Sequence, residues 1–342
     1  MVSAPQATVL IDTYNYGRFI EQAIDSVLSQ DFPGEELEII VVDDGSTDDT
    51  AERVRKYGAR IKYLQKQNGG QASAFNLGFA HAQGEVIVLL DADDYFLPGK
   101  LQRVFEAFRS NPDVGMVYHR FPQMHPGPVM IPAIGFEPLS GFLPANKRLL
   151  SKYRAHQSSC LAFRRSTLQD ILPIPESIKI SADSFLELTA ILIAPILAID
   201  EDLAVYRIHG RNLCAGDFQA TTAEEAKRLV VSTNTVRHGI EQWISAHRQR
   251  IGNVETRRLL DGTMFIPMEQ QFRFVPPGRF SYFTFLVRRN YALAPVQGIF
   301  YNTVKSILAM TTLLVGYKGY QSIHARYGKT FNLFRPLAGE KR

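Results

Sequence analysis

Val86-Ile87-Val88-Leu89-Leu90-Asp91-Ala92-Asp93-Asp94 sets five consecutive apolar residues, three of them β-branched, directly before three acids within four positions. A run this short and this apolar reads as a strand covered on both faces, as in parallel sheets. Outward from it the pattern recurs in Thr8-Val9-Leu10-Ile11, Leu37-Glu38-Ile39-Ile40-Val41-Val42 and Ile61-Lys62-Tyr63-Leu64. Helical patterns lie between these runs, near Phe19–Gln30, Asp49–Tyr57 and Gln71–Ala82. Strands alternating with helices of that length predict right-handed crossovers and an α/β fold with a doubly wound, mostly parallel sheet. Ligands of such sheets gather at the carboxyl ends of the strands, where this chain places its acids.

After Val117 the pattern loosens into a Pro/Gly-rich stretch, Phe121 to Pro144, expected to form loops and short strands. Ser158–Phe163 reads as a strand, Asp183–Ile193 as a helix and Ile196–His209 as extended. The expected division is a catalytic module over residues 1–215 and a mainly helical, basic region over 216–342, opening with a polar helix from Thr222 to Arg250. With 342 residues, 45% of them hydrophobic, the chain has apolar material for such a pair and is not disordered.

The net charge of +4 conceals an asymmetry of −6 through residue 200 and +10 beyond it. No nucleic-acid-binding module is recognisable, so the basic excess points to an anionic membrane surface. Val296–Tyr317 has the length of a membrane span but includes Gln297, Asn302 and Lys305. It reads as an interfacial helix, with Arg288, Arg289, Lys305, Lys318 and Arg326 available to headgroups, or as a helix packed on the protein. Two cysteines, Cys160 and Cys214, make no disulfide framework or zinc spacing. Residues Met1–Gln6 carry no secretory pattern, so a cytoplasmic location is expected.

Two acidic clusters carry the chemistry. The second strand runs into Asp43-Asp44-Gly45-Ser46, where a carboxylate can accept hydrogen bonds from a base or ribose, while Ser46-Thr47-Asp48 is placed to cap a helix. The fourth delivers Asp91 and Asp93, which an extended chain would direct to one face, within reach of one cation. Hard divalent ions, Mg2+ or Mn2+, suit carboxylate oxygen together with substrate phosphates. Asp94 is expected to cap the helix after Pro98.

Four segments resemble, in order and separation, family 2 glycosyltransferases of the GT-A fold: Val9-Leu10-Ile11-Asp12-Thr13-Tyr14-Asn15-Tyr16, Val41-Val42-Asp43-Asp44-Gly45-Ser46-Thr47-Asp48, Asn68-Gly69-Gly70-Gln71-Ala72-Ser73-Ala74-Phe75-Asn76-Leu77-Gly78, and Leu90-Asp91-Ala92-Asp93-Asp94. The resemblance covers roughly the first 215 residues. It implies an inverting transferase that takes a nucleotide-diphosphate sugar, expected to be UDP-linked, and passes the sugar to a glycan or lipid-linked acceptor. It places Thr13, Tyr14, Asn15, Asp43, Gln71 and Asp91 at the nucleotide-sugar site, with Asp93, Asp91 and His209 at the metal. Asp183 would be the catalytic base, its pKa lowered by a helix N-terminus. Arg207 or Arg211 is the alternative phosphate partner to His209. Three positions depart from the family pattern: Thr13 stands for proline, Phe75 for arginine, and Ala182 for the glutamate of a Glu-Asp pair. The rival reading is a nucleotide-sugar-binding or membrane-scaffolding protein without turnover.

Overall fold

The computed structural model describes residues 5–127, 129–132, 136–145, 153, 155–210, 212 and 222–251, with short pieces between 271 and 322. The chain forms two compact units. One comprises Met1–Leu143, Ala155–Gly216 and Thr235–Asn253, the other Pro144–Arg154, Asp217–Asn234 and Val254–Arg342.

The strands of the first unit are β1 (Ala7–Thr13), β2 (Leu37–Asp43), β3 (Lys62–Gln65), β4 (Val86–Asp91), β5 (Tyr95–Phe96), β6 (Met116–Arg120), β7 (Gln123–His125), β8 (Val129–Ile131), β9 (Leu161–Arg164), β10 (Ile196–Asp202) and β11 (Ala204–Arg207). Its helices are α1 (Gly17–Leu28), α2 (Thr50–Arg55), α3 (Gln71–His81), α4 (Lys100–Ser110), α5 (Arg165–Gln169) and α6 (Ala182–Ile193). A longer helix, α7 (Ala223–Ala246), and a short one, α8 (Arg248–Ile251), follow.

Seven strands make the main sheet in the order β10-β6-β9-β4-β1-β2-β3, and β5-β11-β7-β8 make a smaller one. In the main sheet β1, β2, β3 and β4 run parallel, as do β6 and β10, while β9 is antiparallel to both its neighbours. The mostly parallel sheet is therefore the expected one, with one reversed strand inserted between β4 and β6. The order of these strands follows from burial: Val9, Leu10 and Ile11 of β1 and Val88, Leu89 and Leu90 of β4 are shut off from solvent on both faces. On α1, Ile20, Ala23, Ile24 and Val27 fall at helical spacing and are all buried, each large side chain contributing roughly 1.5–3 kcal/mol by leaving water. Helix α3 lies so close to β1 that a Cβ at Gly78 would stand 2.3 Å from Leu10 Cδ1.

One element differs from expectation. Ser158–Cys160 is a turn of 3-10 helix, and the strand begins only at Leu161. Serines and a cysteine have little strand preference, and here two serine side chains bond to acids elsewhere instead of joining a ladder.

Among the described residues, no helix is long and apolar enough to cross a membrane. Most of Val296–Tyr317 lies outside the described residues, as do Arg289, Lys305, Arg326, Arg211 and Cys214. At the end of that run, Ala309 and Tyr317 belong to an apolar cluster with Phe272, Tyr282, Phe285 and Leu286.

Candidate active site

Strands β2 and β4 end in Asp43 and Asp91, β1 carries Asp12 one residue before its end, and parallel pairing brings the three strand ends together. In register Asp12 stands beside Asp91, and Thr13 beside Asp43. In the sequence Asp12 follows the first apolar run; its place beside Asp91 comes from strand order. Asp12 Oδ1 and Asp91 Oδ1 are both buried without a hydrogen-bond partner. Burial, reinforced by the Asp93 and Asp183 charges, pushes the Asp12 carboxyl up to about 7. Asp91 is raised well above the carboxylate range by burial first, then by the charges of Asp12, Asp94 and Asp93.

The Asp91-Asp93 geometry expected from alternation does not hold. Strand β4 stops at Asp91 and the chain turns there, the Asp94 amide bonding Asp91 O at 3.0 Å. That turn, rather than a pleat, gathers Asp91, Asp93 and Asp94, each offering an oxygen within 4.8 Å of the others. Asp94 does not cap α4, whose start has no side-chain cap. Fully buried, it accepts from Ser159 Oγ (2.6 Å) and the Arg207 amide (2.9 Å), tying β4 to the 158–160 turn and to β11. Burial and the neighbouring Asp93 raise its pKa as well.

Asp93 Oδ2 lies 2.9 Å from His209 Nε2 and 3.3 Å from Asn212 Nδ2. Asn212 also holds the His209 amide through its Oδ1 (2.9 Å) and donates to Arg207 O (2.7 Å), so it fixes the turn that carries the histidine. The His209 ring is wedged against Phe19 and Tyr16, with centroids 4.7 and 5.7 Å away. Arg207 is buried, its guanidinium over Phe19 and Tyr95 and its Nη2 on Gln22 Oε1 at 2.6 Å.

Asp183 sits in the first turn of α6, buried. Its Oδ2 accepts from the Ser158 amide and hydroxyl (both 3.1 Å), and its Oδ1 from the Ser184 amide (2.7 Å). The expected depression of its pKa is overturned: burial outweighs the helix terminus and these hydrogen bonds and lifts the carboxyl to about 6. Ser159, next to Ser158, accepts from the Asp91 amide at 3.1 Å and donates to Asp94, so Asp183 stands beside the same sheet edge. The Ser158-Ser159 pair thus reaches an acid on each side. Lys100 secures that turn from beneath, fully buried, with Nζ 2.5 Å from Ser159 O and 3.7 Å from the Phe96 ring centre. Burial draws its amine down to about 7. No motif in the sequence marks Ser158, Ser159 or Lys100, because their partners are 25 to 65 residues away.

Of the remaining expected residues, Tyr14 is exposed and Thr13 is buried with an unpartnered Oγ1. Asn15, at φ 59°, clasps the next loop, accepting from the Thr47 amide (2.8 Å) and donating its own amide to Ser46 Oγ (2.8 Å). Asp43 is buried and accepts from the Ser46 amide (2.7 Å) and Tyr63 OH (2.6 Å). Gln71 opens α3; its Oε1 accepts the Ala182 amide at 2.9 Å, which steadies the start of α6.

Residues 8–172 match the family described as Glycosyl transferase family 2. An uncharacterized glycosyltransferase of Nostoc sp. is 35% identical over 231 residues, 64% of this chain and 70% of the relative. The chain belongs to glycosyltransferase family 2. Another relative of this family 2 glycosyltransferase is the poly(ribitol-phosphate) beta-N-acetylglucosaminyltransferase TarS of Staphylococcus aureus, 37% identical over 92 residues, which are 26% of this chain and 16% of TarS. A crystal structure of S. aureus TarS with UDP-GlcNAc superposes at a TM-score of 0.55 and 20% identity, over 92% of this chain and 91% of that one. A mannosyltransferase from Pyrobaculum calidifontis with GDP-Man and Mn2+ gives 0.53 and 18%, over 99% and 89%. Both likenesses establish the GT-A fold of this glycosyltransferase.

Proposed function

We propose that this glycosyltransferase takes a UDP-linked sugar and passes it, with inversion, to a hydroxyl of a glycan or lipid-linked acceptor in cell-surface polysaccharide or glycolipid synthesis. The observation that carries the reading is one sheet edge bearing a turn-gathered acid cluster under His209 on one side and the buried carboxyl of Asp183 on the other. The donor complexes of TarS and of the Pyrobaculum enzyme support a nucleotide-sugar donor. The poly(ribitol-phosphate) in the name of TarS supports a polymeric acceptor.

The residues suit a divalent ion. Asp12 and Asp91 each keep a buried oxygen without a hydrogen-bond donor, and burial disfavours ionising both carboxyls side by side, a penalty that a cation would relieve. Asp91, Asp93 and His209 would hold Mg2+ or Mn2+, and its charge would offset that growing on the departing diphosphate. Thr13, Tyr14, Asn15, Asp43 and Gln71 line the nucleotide side, where the exposed Tyr14 ring offers a face to the base. Asp183 removes the proton of the acceptor hydroxyl as it attacks the anomeric carbon from the side opposite the diphosphate, with Ser158 and Ser184 orienting the carboxylate. The catalytic module spans residues 1–215.

Purified protein incubated with Mn2+ or Mg2+ and a panel of UDP-, GDP- and dTDP-sugars should release UDP from one or more UDP-sugars, and only with metal. Release from GDP- or dTDP-sugars alone would replace the donor class. No release with any donor, despite nucleotide binding, would favour the non-catalytic reading.

We further propose that residues 216–342 bring the enzyme to the cytoplasmic face of a membrane through their basic excess. Flotation with anionic but not with neutral liposomes is the expected result; absence from both sinks it.

A further inference from the structure

Arg18 stands in the first turn of α1, exposed, with its guanidinium carbon 4.4 Å from the Phe19 ring centre and its Nη2 3.0 Å from His209 Nδ1. A guanidinium offers only N–H donors, so His209 Nδ1 must accept. The ring proton then sits on Nε2, directed at Asp93 Oδ2 at 2.9 Å. In this tautomer the imidazole presents no lone pair to the acid cluster. A ring that ligated a cation through Nε2 would carry its proton on Nδ1 and face Arg18 with an N–H. The Arg18 contact and metal ligation by His209 therefore exclude each other. Because Phe19 and Tyr16 hold the ring, the exchange asks for a proton to change nitrogen and for Arg18 to turn away, with no shift of the histidine.

Among the described residues, Arg18 pairs with no carboxylate, although it stands one residue from α1's start, beside an acid-lined site. The other guanidinium close to the cluster among the described residues, that of Arg207, is buried between aromatic rings and bonded to Gln22. Arg18 is thus, among the described residues, the cation whose planar fork can turn toward phosphate oxygens beside the acid cluster.

We propose that Arg18 is a diphosphate-binding residue of this enzyme, bridged to His209 while that ring donates to Asp93 and turned to the donor's diphosphate once the ring's Nε2 takes a cation. The inference rests on the metal-diphosphate reading above. It predicts that removing Arg18 separates two affinities. In Arg18→Ala, the affinity for Mn2+ alone, followed by electron paramagnetic resonance, stays at the wild-type value or rises, because the competing contact is gone. Affinity for UDP in saturating Mn2+, measured by calorimetry, falls about tenfold or more, the loss of a charge-assisted hydrogen bond. Arg18→Lys recovers part of it, since a lysine restores charge without the fork. An alanine variant that binds UDP as wild type does overturns the proposal. Parallel weakening of Mn2+ and UDP also overturns it, as the mark of a residue that merely holds His209 in place. If wild-type protein binds neither Mn2+ nor UDP, the metal-diphosphate reading fails first and carries this one with it.

Discussion

Asp93→Ala should lower nucleotide diphosphate release by at least about 100-fold, the scale of losing one preorganised charge-stabilising group, and should erase the response to manganese. Asp93 is where the acid cluster and the 207–212 turn meet, its Oδ2 shared by His209 Nε2 and Asn212 Nδ2. Removing its carboxylate also takes a like charge from beside Asp12, Asp91 and Asp94, all three raised in pKa by burial and by the Asp93 charge. The variant should therefore melt no lower than wild type at pH 8, and its defect should lie in metal binding and rate. Asp94→Ala is the informative contrast. Asp94 ties Ser159 to the Arg207 amide from a fully buried position, so its loss leaves those donors without an acceptor and should lower the melting temperature. Metal-independent release by wild type, or undiminished release by Asp93→Ala, would remove the metal from the mechanism.

The second large effect is expected at Asp183. Asp183→Asn should lose about 10³-fold in kcat, within the range that a positioned general base supplies, while the donor KM stays close to wild type. Burial sets the pH dependence, and its sign follows from the base role. A base works only when deprotonated, and the Asp183 carboxyl is raised to about 6, so wild-type kcat/KM should rise with pH through about 6 and level off above it. In the asparagine variant that acid limb should vanish from the residual rate. A limb that persists near 6 in Asp183→Asn would assign the titration elsewhere, with Asp12, raised to about 7, the next candidate. Full-rate turnover by the variant would remove the base assignment and leave the donor site standing.

The two halves of this mechanism were unequally legible. Asp43, Asp91 and Asp93 announce themselves because each follows a run of apolar residues that can only be a buried strand, and a charge at such an end is costly unless it is used. Asp183 is visible through resemblance alone: its local sequence serves a helix start equally well, and its raised pKa depends on burial that no local pattern encodes. Asp12 shares the strand-end signal but gains its meaning from standing beside Asp91. Ser158, Ser159 and Lys100 carry no signal, since what they do is bond to groups brought near by folding.

Strand-helix alternation, the mostly parallel sheet and the edge where the acids collect can be read without coordinates, because strand periodicity and apolar runs are local properties. Tertiary structure decided three other things. It set the reversal of β9 between β4 and β6, which brings the 158–160 turn under the site. It replaced the expected pleat at Asp91 and Asp93 with a turn that gathers three carboxylates. It also set the Arg18 guanidinium against Nδ1 of His209, 191 residues away, and Asp93 against its Nε2. Strand order, desolvation and proton placement all depend on which distant groups share a space, and that is fixed only when the chain closes on itself.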